Sequence, residues 1–104
     1  MAREETICKI EVTDSNELLV VLDAPGDPDF QFVYREAAGV YWDPQRKRFR
    51  STPIQEWSCS DWFFHITDIV RSGLHVSLKL APEVEWVDVP LEDRQRILSK
   101  SEFL

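Results

Sequence analysis

The sequence predicts an α+β domain: a five- or six-stranded antiparallel or mixed sheet, one long helix packed on one face, and a short C-terminal helix. Three observations carry that prediction. Several apolar runs alternate with a period of two, as half-buried strands do. From Ser58 onward the apolar spacing becomes helical, with boundary signals at both ends. The 104 residues suffice for one domain, 1–104, that buries roughly two thirds of its unfolded surface without metal or disulfide support.

Taken in order, Thr6 to Val12 is predicted as a strand with Cys8, Ile10 and Val12 on one side, and Asp14-Ser15-Asn16 supplies a turn. Glu17 to Asp23 carries Leu18-Leu19-Val20-Val21-Leu22 without alternation, the pattern of a central strand covered on both faces. Ala24 to Asp29, rich in Pro, Gly and Asp, is predicted as a loop. Phe30 to Glu36 alternates, placing Phe30, Phe32 and Tyr34 on one face of a further strand and Gln31, Val33 and Arg35 on the other. Gly39 to Asp43 and Arg48 to Thr52 form a hairpin around Asp43-Pro44-Gln45.

The long helix has Ser58 as N-cap, Asp61 at N3 as an acidic capping box, and Trp57 with Trp62 as a hydrophobic staple. Arg71 suits its negative end, and Gly73 suits a left-handed cap after about four turns. Trp62, Phe63, Ile66, Ile69 and Val70 share its core arc; Asp61, His65, Asp68 and Ser72 lie opposite, and Phe64 falls off the core arc. Leu74 to Leu80 alternates as a strand, Pro82 to Val87 reads as a connector or short edge strand, and Asp88 and Pro90 open a second helix ending near Ser99.

Composition excludes several function classes. The net charge of -7 disfavours nucleic acid and anionic lipid, since each phosphate contact needs a cation. No apolar run approaches the ~20 residues that span a bilayer, and the amino-terminal MAREETICKI lacks the apolar core of a secretory signal, so a cytoplasmic protein is expected. Cys8 and Cys59 have no metal-ligand spacing and are expected to be free thiols. No cofactor motif occurs, and neither metal nor cofactor is expected.

The block Val40 to His65 holds three tryptophans, four other aromatics and the concentrated positive run Arg46-Lys47-Arg48-Phe49-Arg50. Two helices cover one sheet face but scarcely both, so a face carrying Arg35, Arg48, Arg50 and either Tyr41 or Trp42 is expected to stay open. Aromatics and arginines anchor protein interfaces. The primary expectation is therefore a non-enzymatic module that contacts a protein partner, a basic one or a second copy, through Arg35, Tyr41, Trp42, Arg48 and Arg50, with Phe64 as a further exposed contact.

Two other classes remain open. A small-ligand binder or homo-oligomer would use an aromatic pocket walled by Trp57 or Trp62. An enzyme would use Cys59, activated at the helix N-terminus, with His65 and Asp61, which share a helix face with Asp68. In size, acidity and lack of a catalytic motif the chain is similar to small bacterial immunity or antitoxin proteins and to orphan products of mobile gene cassettes. That similarity of composition transfers no residue roles.

Overall fold

The structure, a computed structural model, describes residues 3–23, 28–36, 39–53 and 57–99. The strands are β1 (Arg3–Val12), β2 (Glu17–Leu22), β3 (Val40–Asp43), β4 (Arg48–Pro53) and β5 (Val76–Val87). The helices are α1 (Val33–Glu36), α2 (Cys59–Leu74) and α3 (Leu91–Leu98). The sheet is mixed, with order β3-β4-β2-β1-β5. Its pairs are antiparallel except for parallel β1 and β5. The apolar run of β2 therefore does occupy the centre.

One face of the sheet carries Ile7, Ile10, Leu18, Val20, Leu22, Val40, Phe49, Val76 and Leu78, all buried against Phe63, Ile66 and Val70 of α2. The helix starts where its sequence dictates. Ser58 accepts from the Asp61 amide at 3.2 Å, and Asp61 accepts from the Ser58 amide at 3.3 Å, closing the capping box. The staple rings Trp57 and Trp62 lie 4.9 Å apart. Trp62 is only half-buried, so Phe63 carries more of the core contact than the staple does.

The left-handed C-cap is His75 (φ 59), whose amide reaches the Val70 carbonyl; Gly73 stays helical. The glycine that needs its freedom is Gly39 (φ 86), opening β3, where an added Cβ would sit 3.0 Å from Thr52 Oγ1 and 3.3 Å from the Trp62 ring.

Three local expectations are corrected. Phe30 to Glu36 is not a strand: Pro28–Phe32 forms a 3-10 turn that runs into α1. Phe30 and Val33 are buried while Tyr34 is exposed, so burial follows the i, i+3 spacing of a helical turn and overrides the apparent alternation. Of the loop expected at Ala24 to Asp29, residues 24–27 lie outside the described residues, and Pro28 and Asp29 belong to this turn.

The inward residues of β1 are Ile7 and Ile10, not Cys8, because Cys8 is the extra residue of a bulge between the Ile7–Leu22 and Lys9–Val21 pairs. The third correction concerns β5, which does not end at Leu80. It resumes pairing with β1 at Glu85 and runs to Val87 as one edge strand. A second irregularity, between Glu17 and Leu19, is repaired by Ser51. Its buried hydroxyl accepts from the Leu18 amide at 2.9 Å and donates to the Thr52 carbonyl at 2.7 Å.

Candidate functional site

Because α2 packs on one side of the sheet, the register can be followed across the other. One row there runs Tyr41, Arg50, Leu19, Glu11, Val87; the next runs Asp43, Arg48, Val21, Lys9, Glu85. Among the described residues no helix covers these rows. Leu19, between Arg50 and Glu11 in the first row, is nonetheless only 2% exposed.

The charges on the face nearly balance. Lys9, Arg48, Arg50 and Lys79 stand with Glu4, Glu11, Glu17, Asp43 and Glu85 at positions of the same sheet side, four cations against five carboxylates. Lys9 and Glu11 pair at 3.4 Å, and Arg48 Nε lies 3.7 Å from Asp43 Oδ2. Arg50 stands with its guanidinium 5.8 Å from the Tyr41 ring centroid, and Tyr41 is 44% exposed. Tyr41 and Arg50 are the exposed aromatic and cation of this surface.

The other predicted contact residues separate from them. Trp42 lies on the helix side, 5.1 Å from Phe30 and 4.7 Å from Phe49 between ring centroids. Arg35 belongs to α1, off the sheet, with its guanidinium 4.6 Å from the Phe32 centroid. Phe64 is half-buried, packed beside Phe63 and beneath Arg96 of α3. Trp57, Trp62 and His65 form one aromatic cluster, with His65 edge-on to the two indoles at 5.0 and 5.9 Å.

The groups with chemical potential are engaged. Burial and the negative charge of Asp93 push the Cys59 thiol up to about 12. We expect iodoacetamide at pH 8 to modify Cys59 only after unfolding, with half-buried Cys8 reacting first; rapid native modification of Cys59, read by peptide mapping, would contradict this. At Asp61 burial pushes the carboxyl up, but hydrogen bonds from Ser58 and Arg96 and the Arg96 charge hold it below the ordinary value. Arg96 Nη2 lies 3.2 Å from Asp61 and Arg71 Nη2 lies 2.6 Å from Asp68. Among the described residues no three His, Cys, Asp or Glu side chains converge as a metal site.

Two features had no clear signal in the sequence. Asp93 is a buried carboxylate of α3 that accepts from the Ser60 amide at 3.1 Å and the Ser60 hydroxyl at 2.7 Å, tying α3 to the first turn of α2. Between β5 and α3 lies a cleft of about 420 Å³ lined by Leu80, Ala81, Pro82, Val84, Trp86, Arg94 and Leu98. No described helix is long and apolar enough to cross a membrane.

Fold and surface together define a small α+β protein with its described helices gathered on one side of a five-stranded mixed sheet and a nearly charge-balanced face on the other. The chain belongs to the family described as Integron Cassette Protein Hfx_Cass5, which matches residues 5–83, and is thus a mobile-gene-cassette protein. It is similar to a solved structure from the mobile metagenome of North West Arm Sewage Outfall, Integron Cassette Protein Hfx_Cass5. The identity is 30% over 93% of this chain and 94% of that one, with a TM-score of 0.43. No curated protein matches the chain.

Proposed function

We propose that this cassette protein is a non-enzymatic protein-contact module whose binding surface is the sheet face that no described helix covers, and that the partner its charge pattern fits is a second copy of the chain. The observation that carries this is the near-neutrality of that face, four cations against five carboxylates, in a chain of net charge -7. Two such molecules repel over the ~8 Å reach of charges at physiological salt. They approach with least repulsion through a surface whose own charges nearly cancel. A basic partner would instead be drawn to the acidic remainder of the molecule.

Five strands about 4.8 Å apart make a face roughly 20 Å across, at the small end of protein interfaces, so the contact is weak and concentration-dependent. The buried thiol of Cys59, the packing of His65 on two indoles and the pairing of Asp61 with Arg96 support a non-catalytic role.

Sedimentation velocity over a concentration series tests the proposal. Wild type is expected to shift toward dimer, and Arg50→Glu to remain monomeric with an unchanged melting midpoint. Arg35→Glu makes the same charge change off the face and is expected to associate like wild type. Arg50 is a cleaner probe than Arg48, whose reversal would set a carboxylate against Asp43. Loss of association in both variants, or in neither, would overturn the proposed surface.

A further inference from the structure

We propose that the cleft between β5 and α3 is a binding site for a small amphipathic carboxylate, an acid with an apolar body. This inference is independent of the sheet-face contact, because the cleft opens on the helix side of the sheet edge. Its origin is a break in the β1–β5 ladder. Ile7 pairs with Leu80 and Lys9 with Glu85, so the four residues Ala81 to Val84 stand opposite Cys8 alone. The surplus backbone swings out of the ladder, as bulges do, and leaves a space that α3 walls but does not fill.

The lining states what the space accepts. Leu80, Pro82, Val84, Trp86 and Leu98 are apolar, and the volume of about 420 Å³ falls within the range of small-molecule sites. Arg94 is the single charged side chain among the lining residues. Its guanidinium stands 5.3 Å from the Trp86 ring centroid. No ion pair joins it to another described residue, so a cation lining the cleft beside Trp86 is left to meet an anion there.

A guanidinium at the rim of an apolar pocket complements a carboxylate bidentately and repels an ammonium. Addition of a peptide strand to β5 is disfavoured, because the bulge breaks the edge and Pro82 has no amide hydrogen to donate.

The test uses octanoate as probe, with octylamine and octanol as head-group controls, followed by proton–carbon and indole N–H correlation spectra of the full chain. Octanoate is expected to shift Trp86 and the methyl groups of Leu80, Val84 and Leu98 saturably, whereas octylamine leaves them unmoved. Arg94→Gln, at an exposed position, should weaken octanoate about tenfold, the scale of one charge-assisted contact, and leave octanol unchanged. Leu98→Trp, which fills the cleft, should abolish binding of both. Equal binding of octanoate and octylamine, insensitivity to Arg94→Gln, shifts centred outside the cleft, or no saturable shift would each overturn the proposal.

Discussion

Phe49→Ala is expected to remove about 3 to 5 kcal/mol of stability, the usual cost of emptying an aromatic from a core. Phe49 is 0% exposed, and its ring lies 4.7 Å from that of Trp42 and 5.4 Å from that of Phe30. It also faces Val20 across the β4–β2 ladder, so the cavity would open beneath the central strand. A domain of this size holds about 5 to 15 kcal/mol in total, so a large share of the stability rests on this ring. Denaturant unfolding measures the loss, with Tyr41→Ala, one strand away on the opposite face, as a control expected to cost under about 1 kcal/mol. Equal losses from the two variants would show that the sheet's faces are assigned the wrong way round.

The second large effect is expected at Asp93. Alanine there leaves the Ser60 amide and hydroxyl buried without their acceptor, at a cost of about 3 kcal/mol, since bonds to a charged group are the more expensive ones to lose. Asp93→Asn keeps the accepting oxygen and should recover at least half of that loss. The contrast separates the hydrogen bonds from mere packing of α3: identical midpoints for the two variants in urea would assign the role of Asp93 to its volume or charge instead. The Cys59 thiol should stay raised in Asp93→Ala, because burial is the larger of its two causes.

Local signals were most legible where several agreed on one residue. Ser58, Asp61, Trp57 and Trp62 each mark the start of α2, and the capping box and staple are both formed there. The unbroken apolar run of β2 likewise locates the centre of the sheet. Legibility failed where tertiary packing chose between two periods. Phe30, Phe32 and Tyr34 fit a strand, but Phe30 and Val33 fit a helical turn, and the space beside Trp42 and Phe49 selects the second.

Irregular pairing was hidden for a related reason. Cys8 looks inward-facing by alternation alone, and its bulge becomes visible only once the partners Leu22 and Val21 are known. Pro82 suggested the end of a strand, whereas at a sheet edge its missing amide hydrogen costs no ladder bond. The open face could be anticipated by setting two helices against five strands, and Tyr41 and Arg50 do lie together on it. Arg35 could not be placed correctly once its segment was taken for a strand. The cleft had no sequence signature, since it joins a bulge of β5 to side chains of α3.

The central claim, that the near-neutral sheet face is the contact surface, is tested most directly by amide and side-chain NMR spectra recorded on dilution of the wild-type protein. Resonances of Tyr41, Arg50, Leu19, Glu11 and Val21 are expected to move with concentration, while those of Asp68, Ser72 and Leu91 on the helix side hold still. Concentration-dependent shifts confined to the helix side, or a spectrum of the sheet face that stays constant across the dilution, would contradict it.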